Sequence, residues 1–133
     1  MDPVIDMLIR IKNAQAVGKE HVSIPSSRLK LKIAQILKEN NFVGEVEKKK
    51  RKAKKTEFDY LFIALKYDED KIPAMNDFKL ISRPSRHMYV RADEIKQVHS
   101  GYGIGVLSTS KGVMSSKEAR KQGLGGEMLF EVW

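Results

Sequence analysis

The sequence contains no cysteine, and this absence removes several classes of protein at once. Without thiols there is no disulfide scaffold, no thiol nucleophile and no cysteine-bound zinc or iron–sulfur centre. Long apolar runs are also missing, since no stretch approaches the roughly 18 residues needed to span a bilayer. With 133 residues the chain allows one ordinary domain or two very small ones. It is too short for a barrel enzyme of about 250 residues.

Side chains that could carry catalysis are sparse. The three histidines, His21, His87 and His99, lie on unrelated segments, and none is spaced as a metal-binding pair. The acids at 68–70 are adjacent in a polar linker, where a solvated loop is the default. Residues 101–105 hold only part of a dinucleotide-binding fingerprint and lack a long helix after it. We therefore expect no catalytic residue, no metal site and no cofactor.

Positive charge is abundant but concentrated in one place. The 25 basic and 17 acidic residues give 25 − 17 = +8. Residues 48–55 read KKKRKAKK, and outside this run 18 basic residues face 17 acidic ones. Because like charges repel, we expect the run to be a mobile turn or loop, either a solvated tip or a phosphate-contacting finger. The start of the chain does not resemble a signal peptide. These features favour a cytosolic protein with an acidic partner, most commonly nucleic acid.

The first half predicts an α-β-α-β-β unit. Asp2 and Pro3 begin a helix whose apolar residues recur at helical spacing as far as about Val17. A short strand at 21–24 and a second amphipathic helix at 29–41 follow. Strands at 42–47 and 58–67 would enclose the basic run as a hairpin. The polar segment after residue 67 indicates a linker, so we assign residues 1–70 to an N-terminal domain.

Residues 71–133 predict a β-rich C-terminal domain with one short helix. Strands at 78–82 and 88–91 are expected to pair across a turn at 83–86. Further strands are expected at 101–107 and 127–133, with a short helix between them capped by Ser115 or Ser116. The fold class is therefore α+β with two small domains.

Two glycine-flanked segments of this half suit RNA recognition. Residues 108–112 read STSKG and place three hydroxyls and an ammonium at a strand end. An ST-turn with a helix cap is the alternative interpretation of that segment. Gly125 and Gly126 would admit a backbone, and the Glu127 carboxylate can accept hydrogen bonds from base amino groups. The predicted hairpin of residues 78–91 adds positive charge at Arg83 and Arg86 and one stacking ring at Tyr89.

Several motifs then occur in an order that resembles one family. They are residues 26–30 (SSRLK), 81–84 (ISRP), 103–114 (GIGVLSTSKGVM), 118–120 (EAR) and 123–127 (GLGGE). Together with the Asp2-Pro3 start and the aromatic C-terminus, they resemble the ribosomal protein S8 family of the bacterial small subunit. The resemblance covers nearly the whole chain.

The resemblance implies a structural component of the small ribosomal subunit, located in the cytoplasm and without enzymatic activity. It implies primary binding to the central domain of small-subunit rRNA, at a helix with an irregular internal loop, and help in assembling the platform. In some bacteria such a protein also represses its own operon by binding an mRNA mimic of that site. The expected partners are this rRNA, neighbouring ribosomal proteins and that mRNA, with no membrane and a monomer when free.

The resemblance also implies which residues contact RNA. The main set is Tyr89, Ser108, Thr109, Ser110, Lys111, Gly125, Gly126 and Glu127, and the chemistry of the 108–112 segment itself adds Gly112. The resemblance implies secondary contacts at Ser26, Ser27 and Lys30, and the charges of the 83–86 turn add Arg83 and Arg86 to them. The chain departs from the family pattern after Pro84, where Ser85 stands in place of a common glycine. The basic run is also longer than is usual, so no family role is carried over to it.

Two other functions stay open from the residues alone. A free-standing DNA- or RNA-binding regulator shares the charge, but it predicts a dimer or a groove-reading helix. A small nucleotide-binding enzyme needs a catalytic constellation that these residue types and spacings do not provide.

Overall fold

The structure, a computed structural model, describes residues 2–133, with the side chain of Ala53 left out. The chain divides into two compact units, residues 1–75 and 76–133. The division falls after Met75, later than the 70/71 linker position. Residues 71–75 stay with the first unit because the Gln15 side-chain amide donates to the Met75 carbonyl (3.0 Å) and the Ala74 amide donates to Lys66.

The N-terminal unit has the α-β-α-β-β order, as predicted. Its elements are α1 Pro3–Ala16, β1 His21–Pro25, α2 Arg28–Glu39, β2 Val46–Ala53 and β3 Thr56–Ala64. The Asp2 carboxylate caps α1 by accepting from the Val4 amide at 2.8 Å. All pairs are antiparallel in a sheet of order β1-β3-β2, so β3 lies in the centre.

Alternation along β3 gives this sheet two different faces. Leu61 and Ile63 are buried with the apolar residues of the helices, among them Leu8, Ile33 and Leu37. Phe62 between them and Tyr60 before them point to the opposite face, because successive strand residues alternate sides. One face is therefore the core under α1 and α2, and the other is open.

The basic run is a strand rather than the loop that we expected. Residues 48–53 lie in β2, and only Lys54 and Lys55 form the turn. The prediction was wrong because β3 supplies carboxylates next to the run. Lys48 Nζ lies 3.5 Å from Asp59, and Lys52 Nζ lies 3.6 Å from Glu57. The pleat also sends alternate lysines to opposite faces, which reduces their mutual repulsion.

The C-terminal unit is a five-stranded antiparallel sheet with one α-helix on it. Its strands and helix are β4 Phe78–Leu80, β5 Tyr89–Val90, β6 Ile104–Thr109, β7 Gly112–Ser115, α3 Ser116–Gln122 and β8 Gly126–Val132. Single 3-10 turns lie at Ala92–Glu94 and His99–Gly101. Ser115 is the cap of α3, and the Ser116 hydroxyl accepts instead from the Gly105 amide at 2.9 Å. The α+β fold class of two small units is confirmed.

The predicted pairing of residues 78–82 with residues 88–91 is wrong. Strands β4 and β5 both pair with β8, at its two ends. The Ser82 hydroxyl accounts for this arrangement, since it accepts from the Met88 amide (2.9 Å) and donates to the Met128 carbonyl (2.6 Å). The turn at 83–86 does form, through reciprocal backbone bonds of 2.9 Å.

Helix α3 covers one face of this sheet. The core beneath it consists of Ile95, Leu107, Met114, Ala119 and Met128. Neither α3 nor any other helix within residues 2–133 combines the length and apolarity that a membrane crossing requires.

Candidate nucleic-acid interface

Three strands bring three of the predicted RNA contacts into one row. Tyr89 of β5 lies opposite Glu127 of β8, and Glu127 lies opposite Ser108 of β6. Directly opposed residues of an antiparallel sheet project to the same side. A phenol ring, a carboxylate and a hydroxyl therefore share the face away from α3. We call these three residues the recognition row.

The recognition row is accessible to a ligand. Tyr89 is 72% exposed, and Ser108 is also exposed. The Glu127 side chain is 19% exposed, so it is the most enclosed member. A shift of strand register between Val106 and Leu107 sets this orientation. Leu107 consequently faces the core beside Met128, and Ser108 faces outward, as is typical of the way a β-bulge re-aims side chains.

Residues 108–112 span the end of β6, the two-residue turn at Ser110 and Lys111, and the start of β7. The Thr109 hydroxyl donates to the Gly112 carbonyl (2.7 Å) and accepts from the Lys111 amide (3.1 Å). The ST-turn interpretation thus holds for Thr109, and its hydroxyl is occupied. Within residues 2–133 no side-chain hydrogen bond engages Ser108 or Ser110. Both serines and the exposed Lys111 ammonium can therefore serve a ligand.

Gly125 and Gly126 are needed for close packing of strands. A Cβ on Gly126 would lie 3.0 Å from the Ser108 carbonyl carbon and 3.1 Å from Thr109 Cα. A Cβ on Gly125 would lie 2.9 Å from Arg91 Cα. The backbone that these glycines admit is the protein's own, from β6 and from the end of β5. Their part in the site is to let the recognition row form.

His87 belongs to the site and was not predicted. Its Nδ1 lies 2.5 Å from Glu127 Oε2, and the imidazole is about half exposed at 54%. This contact orients the carboxylate of the recognition row. His87 precedes Tyr89 by two positions, so strand alternation is the only sequence signal that could have placed it beside Glu127.

The turn after β5 is held by a second carboxylate. Glu94 accepts from the Arg91 amide at 3.0 Å and from Arg91 Nε at 3.1 Å. The backbone hydrogen bond, followed by the side-chain bond, holds the pKa of Glu94 below its ordinary value. Arg91 is the residue against which Gly125 packs, so this turn supports the edge of the site.

The secondary residues are divided between the two units. Arg83 and Arg86 are exposed and line a recess of about 460 Å³ together with Lys79 and Met88. Ser26, Ser27 and Lys30 lie in the N-terminal unit. The Ser27 hydroxyl caps α2 by accepting from the Lys30 amide at 3.1 Å, and Lys30 itself is only 9% exposed. Within residues 2–133 no group of three or more histidines and acids could hold a metal ion.

Fold and site together define a small two-unit protein with a phenol, a carboxylate and a hydroxyl on one face of its C-terminal sheet. The family model for ribosomal protein S8 matches residues 2–133. Three bacterial proteins named small ribosomal subunit protein uS8 are similar over nearly their whole length. That of Saccharophagus degradans is 48% identical over 132 residues, covering 99% of this chain and 97% of the relative. Those of Sorangium cellulosum and Halothermothrix orenii are 42% and 43% identical, each over 99% of this chain and 98% and 97% of the relative.

The chain therefore belongs to the ribosomal protein S8 family. A protein of this family is a structural component of the small ribosomal subunit, which is cytoplasmic in bacteria, and it is not an enzyme. The nucleotide-binding enzyme that the residues left open is thereby excluded.

Proposed function

We propose that the C-terminal unit binds the central domain of small-subunit rRNA, at a helix with an irregular internal loop. The observation that carries the proposal is the recognition row of Tyr89, Glu127 and Ser108. It presents a ring, an acceptor and a hydroxyl on one open face, beside a turn with further unengaged donors.

This combination suits irregular RNA better than a regular duplex. The major groove of A-form RNA is too narrow for side chains, so proteins read unstacked bases and 2′-hydroxyls instead. Tyr89 offers a stacking surface, and Glu127 can accept from exocyclic amino groups. Ser108 and Ser110 can exchange hydrogen bonds with 2′-hydroxyls and base edges. We assign phosphate contacts to Lys111 and to the arginines of the 83–86 turn.

Affinity and specificity then come from different residues. Each phosphate contact releases a counterion and makes binding weaker at higher salt. The recognition row carries only one formal charge, on Glu127, so it adds discrimination rather than electrostatic attraction. Thr109, Gly112, Gly125 and Gly126 act by shaping the backbone around it. We propose Ser26, Ser27 and Lys30 as secondary RNA contacts of the N-terminal unit.

The wider role follows from the ligand. A protein that stabilises an irregular helix of the central domain would assist assembly of the platform. It would meet neighbouring ribosomal proteins there. Before it binds rRNA, the free protein would be a monomer. An mRNA segment that presents the same irregular helix would bind the same surface, which is the basis for repression of its own operon. Competition between such a segment and the rRNA fragment for one protein molecule tests this extension.

Two substitutions test the rRNA proposal. Ser110→Ala and Glu127→Ala should each weaken binding to a central-domain rRNA fragment by about 1–3 kcal/mol, the usual worth of a specific base contact. Calorimetric titration of the full chain measures this loss. Glu69→Ala removes the same charge from an exposed loop and should leave affinity unchanged or tighter.

Two results would contradict the proposal. One is wild-type affinity in Glu127→Ala and Ser110→Ala. The other is an equal loss of binding to an unrelated RNA hairpin of the same length, because that would show a sequence-independent effect.

A further inference from the structure

The open face of the N-terminal sheet carries aromatic and basic side chains that the recognition row does not explain. Three rings of β3, Phe58, Tyr60 and Phe62, alternate with the buried Leu61 and Ile63 and so share this face. Across the β2–β3 ladder Lys49 lies opposite Tyr60, and Arg51 lies opposite Phe58. We call these five side chains (49, 51, 58, 60 and 62) the aromatic face.

Charge is unevenly divided between the two sides of this hairpin. The carboxylates of Glu57 and Asp59 lie on the opposite side, where they meet Lys52 and Lys48. On the aromatic face the nearest acid is Glu47, which lies 3.4 Å from Lys49. Arg51 is exposed and has no acidic partner within the described residues. The cation beside Phe58 is thus available to an anion.

The rings are not equally available for stacking. Phe62 is already covered, since the His21 ring stacks on it at 4.4 Å and 11° and Lys49 Nζ lies 4.2 Å from its centroid. Phe58 is 46% exposed, because β1 ends at Pro25 and leaves no neighbour on that side. Within residues 2–133 no other ring or cation stacks on Phe58 or Tyr60.

A shallow recess marks the same place. Its volume is about 180 Å³, and it is lined by Ser23, Ile24, Pro25, Arg51, Phe58 and Tyr60. It therefore combines one exposed ring, one half-buried ring, a cation and a hydroxyl. Aromatic rings beside a positively charged strand are the means by which sheet surfaces hold unpaired nucleotides.

We infer that the open end of the aromatic face, formed by Arg51, Phe58 and Tyr60, is a second RNA-binding site, which holds unpaired nucleotides rather than a structured helix. A base stacks on Phe58, with Tyr60 beside it, and the adjacent phosphate pairs with Arg51. Charge complementarity favours RNA over a second copy of the chain, which would bring like cations together. An exposed ring beside an unpaired cation matches the flat base and adjacent phosphate of an unpaired nucleotide, which favours RNA over a protein partner. The inference shares its ligand class with the proposed function but uses none of the same residues.

Phe58→Leu tests the stacking step in the full-length protein. The probe is a single-stranded RNA carrying 2-aminopurine, with the same sequence in a duplex as comparison. Loss of base stacking on the Phe58 ring should weaken binding of the single strand about tenfold. The quenching of 2-aminopurine fluorescence by stacking should be lost as well. Phe62→Leu is the matched control on the same strand and face, and it should change affinity by less than about twofold because that ring is already covered.

Arg51→Gln tests the phosphate step separately. It should reduce the slope of log affinity against log salt by about 0.7, the value for one phosphate on a single strand. Thermal unfolding of each variant shows whether the fold is intact. Since Phe58 is nearly half exposed, the leucine variant should melt close to wild type.

Three results would overturn the inference. These are unchanged single-strand binding in Phe58→Leu, equal affinity of the wild type for the single strand and the duplex, and attachment of a photo-crosslinker at position 58 to protein instead of RNA in assembled subunits. Glu127→Ala separates the two proposals. It should lose the structured rRNA fragment and keep the single strand, whereas unchanged binding of both ligands would contradict the proposed function alone.

Discussion

Gly126→Ala is the substitution with the most direct structural consequence. Its Cβ would lie 3.0 Å from the Ser108 carbonyl carbon and 3.1 Å from Thr109 Cα, and it would approach the Ser108 oxygen more closely still. All three are backbone atoms, so no flexible side chain can move aside. Gly126 does not have a positive φ, so the effect is steric rather than torsional. Strands β6 and β8 must separate at the end where the recognition row begins.

The cost can be placed within a range. Forcing one methyl group into a packed site costs about 1–3 kcal/mol, and each kcal/mol lowers the melting temperature of a small domain by about 4–8 °C. The next ladder pair is Ser108 with Glu127, so the row loses its alignment as well. Affinity for the rRNA fragment should fall at least about tenfold, which corresponds to one lost base contact.

Calorimetric melting and hydrogen exchange of the β6 and β8 amides measure the first effect, and titration with the rRNA fragment measures the second. Gly44→Ala is the control, because Gly44 also lacks a positive φ and its new Cβ would meet the methyl of Ala64 at 3.2 Å. Gly44→Ala should lower the free energy of unfolding less than Gly126→Ala does, and it should leave RNA affinity unchanged. A Gly126→Ala protein that melts and binds as the wild type does would refute the reasoning.

Three further predictions follow from single contacts. His87→Ala should lower affinity for the rRNA fragment about two- to tenfold, because the Glu127 carboxylate must then be ordered on binding; unchanged affinity would exclude a positioning role. Ser27→Ala should lower the free energy of unfolding by about 1 kcal/mol through loss of the α2 cap. Ser27→Asn should retain stability, because asparagine also caps helices. Weaker RNA binding in the asparagine variant would therefore indicate that the Ser27 side chain contacts RNA. Glu94→Gln should be less stable than wild type above pH 4.5, the ordinary pKa of the carboxyl group. The two proteins should be equally stable once the pH falls below the lowered pKa of Glu94. A stability difference in urea melts that stays constant across that pH range would contradict the role given to the Glu94 carboxylate.

Local features of the fold were predictable from the chain. The Asp2 cap, the apolar spacing of α1 and α2 and the Ser115 cap each depend on neighbours within a few residues. The basic run was misassigned because the carboxylates that stabilise it as a strand lie on β3, across the hairpin. Electrostatic balance between strands is not visible in a stretch of like charges taken alone.

The candidate site was predictable in composition and not in arrangement. Tyr89, Ser108 and Glu127 are far apart in sequence, and only the shared strand β8 puts them in one row. The glycines before Glu127 are expected to admit a backbone, and the backbone that approaches them is the protein's own, at β6 and at the end of β5. His87 was missed because its partner lies on a strand 40 positions away.

The open aromatic face shows the same limit. Each ring of β3 looks like ordinary core material in the sequence, because the three aromatic residues stand in the same short apolar segment as Leu61 and Ile63. Whether a ring is covered depends on where β1 ends, and that end is a property of the assembled sheet.

Photo-crosslinking from position 89 in assembled small subunits tests the central claim most directly. Benzoylphenylalanine replaces the exposed Tyr89 with another ring, and both the residue and the nucleotide of each crosslink are mapped. The same crosslinker at Tyr102, which is 86% exposed and outside the recognition row, controls for general proximity to RNA. We predict that position 89 attaches to unpaired nucleotides of an irregular helix in the central domain. Attachment to another rRNA domain, or to protein, would contradict the account.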